Sequence, residues 1–422
     1  MNERAETFAA NVPNHWRIAA AGVVMQLALG AVYAWSVSRE PLVKSFGWSI
    51  SQVTLTFSIS IFVLGFAAFL GGLWMRRAGP RVVGMTAGVV YGIGVAAASL
   101  SANKLWVLYL SYGLLGGIGL GLGYIVPVAT LVKWFPDKRG LITGLAVAGF
   151  GAGALVTAPV ATRLIQSFGP LTTFAVLGIT YLVLVVGAAS MMSNPPEGYR
   201  PPGWEPSAAQ QAQRAKRDFS LSEALRTWQW YALWAVLFLN VSAGIAILSQ
   251  AAPMAQEITG VSALAAAGLV GIISIANGAG RILWSWLSDA IERRQVFLIM
   301  YLLQAVIFFL LPQTRSFSVF TLLCAVVLLC YGGGFGTMPA FATDYFGPKE
   351  VGSIYGLMLT AWSFAGVFGP LLIARVREAT GSYTNALYIL GATLLVASLL
   401  PFALRPPRTE VDESLKAAPA RG

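Results

Sequence analysis

The chain has 422 residues, of which 57% are hydrophobic and only 11% charged. A soluble globular chain carries about 25% charged residues, so this composition excludes an ordinary water-soluble domain and points to lipid as the solvent. The formal net charge of +11 invites a nucleic-acid reading, which the placement of the basic residues removes.

A helix needs roughly 20 mostly apolar residues to cross a hydrocarbon core of about 30 Å. The first 17 residues are polar, include Glu3 and Glu6, and lead into no small-residue cleavage site, so no removable signal peptide is expected. The first apolar block covers 18–37 and holds Leu29 and Tyr33, four residues apart and therefore on one helix face. Blocks two to four cover 50–74, 82–102 and 105–132, with Tyr124 at mid-depth in the fourth. The motif WFPDKRG (134–140) leads into a fifth block at 140–165, where Leu145 is one of few large side chains in the small-residue run TGLAVAGFGAG. A sixth block covers 172–192. Residues 193–228 then turn to Pro, Gln, Arg and Glu, which reads as a cytoplasmic linker. Blocks seven to twelve cover 229–250, 262–287, 295–312, 317–342, 352–374 and 384–404. The sequence thus predicts an all-α integral membrane protein of twelve spans. Its expected parts are a six-helix bundle at 1–192, the linker 193–228, a second bundle at 229–405 and a tail at 406–422.

With the N-terminus inside, 20 of the 28 Lys and Arg fall on the cytoplasmic side and seven, including Arg39, Arg375 and Arg377, on the outer side. Excess Lys and Arg in short loops holds those loops in the cytoplasm, so the basicity is topology and needs no nucleic-acid partner. Both termini are expected in the cytoplasm, and the bilayer is the one macroscopic partner.

The halves repeat one another weakly. WFPDKRG after the fourth span has a counterpart in YFGPKE after the tenth, and GLWMRRAGPR after the second matches SDAIERR after the eighth. Two related six-helix halves produce such a pattern, with inverted repeats inside each half and a substrate site between them at the midplane. Glycine clusters in the fourth, fifth, eighth and tenth spans read first as packing surfaces. Gly332-Gly333-Gly334, with Pro339 beyond it, also admits a bend in the tenth span. Cys324 and Cys330, six residues apart on one helix, point to different faces, so neither a disulfide nor a metal pair is expected.

The remaining basic residue is Arg281, inside the eighth span, and no Asp or Glu lies mid-span to neutralise it. An ionised side chain in a span is costly and normally faces a cavity on a substrate or ion path. The competing reading is snorkelling to the interface, since Arg281 precedes Asp289 by eight residues. A lone permanent cation in a cavity suits an anion, and the guanidinium fork matches a carboxylate. Asn277, four residues earlier on the same face, either orients Arg281, bonds a substrate hydroxyl, or packs the helix. Tyr33, Tyr124, Tyr331 and Phe335 lie at mid-span depths rather than in interfacial belts, so each reads as core or as pore lining. Leu29 and Leu145 join them as candidate walls. The only histidine, His15, precedes the first span, and the spans hold no catalytic pair or metal-ligand cluster, so neither an enzyme nor a cofactor is expected.

The stretches LGAVYAWSVSREPL, WFPDKRGLITGL, NGAGRILWSWLSD and YGGGFGTMPAFATDYFG resemble the oxalate/formate antiporter family of the major facilitator superfamily. More distantly they are similar to the animal monocarboxylate transporters. The resemblance implies the 6+6 fold of that superfamily, a multi-pass protein of a bacterial inner membrane, acting as a monomer. It also implies that Arg281 binds a substrate carboxylate while Tyr33, Tyr124, Tyr331 and Phe335 enclose the anion. Two departures carry meaning. Oxalate exchangers of the family place a second cation, a lysine, in the eleventh span, where the spacing to Gly356 and Phe368-Gly369 puts Trp362 here. Animal monocarboxylate transporters use an aspartate where this chain has Asn277, and a lysine in the first span, which has none here. One cation beside an indole fits a monoanion with a small carbon tail. Proton-coupled symport of lactate, pyruvate or a similar acid is therefore the expected function, with anion exchange second and a membrane sensor third.

Overall fold

The computed structural model describes residues 14–135, 147–196, 199, 219–347 and 351–407. Among these residues the regular structure is helical, and eleven helices are long and apolar enough to cross a membrane. They give twelve crossings, because Val147–Ala189 runs for 43 residues and is broken at Gly169. In chain order the crossings are α1 (His15–Phe46), α2 (Ile50–Met75), α3 (Arg77–Leu100), α4 (Leu105–Leu131), and α5 and α6 (147–168 and 170–189). They continue as α7 (Trp228–Thr259), α8 (Ala263–Ser288), α9 (Arg293–Gln313), α10 (Phe317–Phe346), α11 (Ile354–Thr380) and α12 (Thr384–Ala403). Most of the expected linker, residues 136–140 of WFPDKRG, Leu145 and the tail from 408 lie outside the described residues.

Helices start where side chains satisfy their first amides. Asn14 accepts from the Trp16 amide at 3.0 Å to open α1, and a reciprocal Ser49–Gln52 capping box opens α2. Gly79 and Gly169 share one backbone conformation, φ 78, ψ 166 and φ 79, ψ 169, and each precedes a proline. The positive φ requires glycine, and proline starts the next helix without an amide left to satisfy. These one-residue corners explain why helices run on across the gaps at 74–82 and 165–172 between apolar blocks.

Helices also outrun the apolar blocks. α1 is 32 residues long and continues to Phe46, well past the end of its apolar block at 37. It is not regular throughout: residues Gly30–Trp35 are wound as a 3₁₀ helix, and Tyr109–Gly116 of α4 as a π helix. Such stretches change the angle between successive side chains, and they commonly mark functional segments.

The two sets of six spans meet along α2 with α11 and α5 with α8. Small residues set the closeness. A Cβ on Gly366 would lie 2.2 Å from Ile61, and one on Gly278 would lie 2.9 Å from the Ala148 carbonyl oxygen. Within the second set, α10 is a continuous helix through its glycine run. Gly332 faces the Asn277 backbone, Gly333 faces Trp284 and Gly334 faces Asn240, so packing on three sides accounts for the triplet.

Candidate functional site

α8 and α10 are held at backbone contact by glycine on both. A Cβ on Gly280 would fall 2.0 Å from the Leu329 carbonyl oxygen, and one on Gly336 would fall 2.3 Å from that of Arg281. This approach sets the Arg281 guanidinium against the face of Phe335, with Cζ 4.9 Å from the ring centroid. Arg281 is 2% exposed, so it remains in the interior and does not reach a membrane surface. Its Nη1 donates to the Tyr124 hydroxyl at 3.5 Å, a long bond, while Nε and Nη2 have no partner in the protein. Among the described residues no carboxylate pairs with it.

Six aromatic rings close a circle beside this cation. Tyr33 meets Phe150 edge-on at 5.2 Å, Phe150 meets Tyr124 at 5.2 Å, and Tyr124 meets Trp362 at 5.5 Å. Trp362 meets Phe335 at 4.8 Å and Phe335 meets Tyr331 at 5.2 Å. The circle closes through Tyr331 and Tyr33, whose hydroxyls are 2.9 Å apart. Tyr33, Tyr124 and Phe150 come from the first six spans, the other three from the last six, so the circle straddles the junction of the halves. Edge-to-face contacts align the positive rim of one ring with the negative face of the next, which orients each ring in the wall.

Asn277 is fully buried on the Arg281 face of α8, and both its amide oxygen and nitrogen lack a partner. Trp362 is also fully buried and its indole N–H is unpaired. The unpaired atoms around Arg281 thus include four donors (Arg281 Nε and Nη2, Asn277 Nδ2, Trp362 Nε1) against two acceptors, Asn277 Oδ1 and Gln26 Oε1. A buried surplus of donors around an uncompensated cation suits an acceptor-rich anion.

The structure brings together Arg281, Asn277, Tyr33, Tyr124, Tyr331, Phe335 and Trp362. Leu29 is buried one layer away, where its Cδ1 would be 2.7 Å from a Cβ on Gly123, next to Tyr124. Two contributors escaped the sequence reading. Phe150 stands in the same run as Leu145, TGLAVAGFGAG, between two glycines that make it read as packing. Gln26 donates to the Tyr124 carbonyl at 3.1 Å across α1 and α4, and only a buried amide in an apolar block signalled it.

Residues 18–370 and 242–421 match the sequence model of the Major Facilitator Superfamily. The chain is 27% identical to an oxalate:formate antiporter of Oxalobacter formigenes, over 96% of this chain and 95% of that protein. It is 27% identical to monocarboxylate transporter 13 of Rattus norvegicus, over 88% of this chain and 84% of that protein. The crystal structure of a bacterial homologue of the human lysosomal transporter Spinster, inward-facing and unoccupied, superposes with a TM-score of 0.73. That overlap covers 93% of this chain and 97% of the other at 15% identity, and the likeness is one of fold.

Proposed function

The chain belongs to the major facilitator superfamily, and we propose that it is a proton-coupled symporter of small monocarboxylates such as L-lactate or pyruvate. It is a multi-pass membrane transporter and not an enzyme. Arg281 anchors the carboxylate, and the observation that carries this reading is a buried guanidinium with no carboxylate partner and two of its nitrogens unpaired. The aromatic circle of Tyr33, Phe150, Tyr124, Trp362, Phe335 and Tyr331 encloses the carbon tail. Asn277 and the Trp362 indole N–H meet the oxygen on carbon 2. Leu29 supports the wall through α4.

Charge selects the monoanion. A second carboxylate beside a single guanidinium leaves a negative charge unpaired in a low-dielectric site, at a cost of several kcal/mol after relaxation. Coupling follows from the membrane potential. Importing one negative charge works against roughly 2.3 kcal/mol per 100 mV, and a co-transported proton cancels that charge. The units at 1–192 and 229–405 rock about the midplane site, joined by the linker 193–228, with both termini in the cytoplasm of a bacterial inner membrane.

The likeness to an oxalate:formate antiporter over nearly the whole chain supports a second reading, one-for-one anion exchange, which is also electroneutral for two monoanions. Labelled L-lactate uptake into proteoliposomes separates the two. Symport gives uptake into empty vesicles that rises with an inward proton gradient and collapses with a protonophore. Uptake that needs a preloaded anion and ignores the gradient establishes exchange instead.

A further inference from the structure

Two charged side chains are buried among the described residues, Arg281 and Arg39, each 2% exposed. Arg39 reads from sequence as a loop cation, since the apolar block of α1 ends before it. The helix instead continues, and Arg39 turns inward between the halves. Its Nη1 donates to the Tyr383 hydroxyl at 2.8 Å and to Gln250 Oε1, and its Nη2 pairs with Glu40. Gln250 Nε2 in turn donates to Thr54 Oγ1 at 3.1 Å. Arg39 and Thr54 belong to α1 and α2, whereas Gln250 belongs to α7 and Tyr383 lies just before α12. Above this cluster the Ser51 amide donates to Glu378 at 2.8 Å, linking α2 to α11, and Arg377 pairs with Glu257 at 2.6 Å. Arg39 lies six residues beyond Tyr33, roughly 9 Å of helix toward the end that the Lys and Arg distribution places outside.

We propose that Arg39, Gln250 and Tyr383 form an outer latch whose buried charge sets how readily the outer mouth of the transporter opens. The proposal requires that the chain be a transporter and is indifferent to which anion it carries. Parting the halves at this end must break Arg39–Gln250, Arg39–Tyr383 and Thr54–Gln250 together. The bonds favour closure. The guanidinium favours opening, because water in an open mouth restores the hydration that closure removes. Arg39 acts as a positioning residue for the conformational step and never touches the substrate.

The opposed terms give a signature that plain loss of contacts does not. Removing the acceptor takes from the buried guanidinium one of the two partners that the last six spans supply, leaving it the Tyr383 hydroxyl and, on its own helix, Glu40, so Gln250→Leu drives the mouth open. Removing acceptor and charge together strands only the neutral Tyr383 and Thr54 hydroxyls and leaves Glu40, 31% exposed, to water; neutral groups cost less to bury than a charge, so Arg39→Met with Gln250→Leu closes it again. Ser58 reports the state: it is fully buried one turn inward of Thr54, on the same face of α2. Carrying Ser58→Cys, each variant is reacted with a membrane-impermeant methanethiosulfonate in intact cells and in inverted vesicles. The expected result in intact cells is labelling about ten-fold faster for Gln250→Leu and within about two-fold of the parent for the double variant. Tyr383→Phe, which removes one hydroxyl, gives a smaller rise and serves if Gln250→Leu does not fold. Cys324 and Cys330, both buried, must stay unlabelled throughout as the sign of an intact C-terminal half. Unchanged labelling in Gln250→Leu and Tyr383→Phe overturns the proposal. So does a double variant that labels as fast as Gln250→Leu, or a rise confined to inverted vesicles.

Discussion

Arg281 holds a permanent charge where water is excluded, softened by the Phe335 face and the Tyr124 hydroxyl but paired with no carboxylate among the described residues. Arg281→Lys keeps the charge and loses the planar fork, so transport is expected to fall at least ten-fold while yield and gel-filtration profile stay normal. Phe335 forms the cation's platform and, in the proposed function, part of the tail's enclosure. Phe335→Ala is expected to weaken binding of the smallest acids and to admit longer 2-hydroxy or 2-oxo acids. A competition series of increasing chain length against labelled lactate checks this, and an unchanged ranking would place the wall elsewhere. At this scale the sequence was informative where a residue violated its surroundings. Arg281 stood out because charge inside a span is expensive. Phe150 did not, because a phenylalanine in an apolar run violates nothing, and the burial of Arg39 did not, because an apolar block marks where lipid ends and not where the helix ends.

α8 shows what the glycine clusters do. Gly280 has the Leu329 carbonyl oxygen 2.0 Å from where a Cβ would stand, whereas nothing lies within 4 Å of one at Gly268, twelve residues earlier in the same helix. Gly280→Ala is expected to push α10 away, to cost about 1–3 kcal/mol as overpacking does, and to abolish transport. Gly268→Ala is expected to be neutral or to stabilise by up to about 1 kcal/mol, since it only restricts the unfolded chain. Thermal melting followed by exposure of the buried Cys324 and Cys330 thiols reads both. Equal melting points for the two variants would contradict the packing account. The spans were legible as apolar length, but the contact partner of each glycine was not, because it depends on tertiary neighbours. The one-residue corners at Gly79-Pro80 and Gly169-Pro170 were likewise invisible to hydropathy, although each dipeptide stands in the sequence.

The whole molecule sets Arg281 and its aromatic circle, the proposed anion site, at the junction of two six-helix sets, with α2–α11 and α5–α8 as the surfaces along which they meet. The twelve-span layout was readable from block lengths and the internal repeat, because lipid leaves the backbone little choice but helix. The closed aromatic circle was not readable, since its members come from α1, α4, α5, α10 and α11 and meet only after folding. The central claim is that a single cation in that circle selects a monocarboxylate. It is tested most directly by inhibition of labelled L-lactate uptake in proteoliposomes, comparing unlabelled L-lactate with oxalate at equal concentration and fixed neutral pH. The account predicts strong inhibition by lactate and weak inhibition by the oxalate dianion. Inhibition by oxalate as strong as or stronger than that by lactate would contradict it.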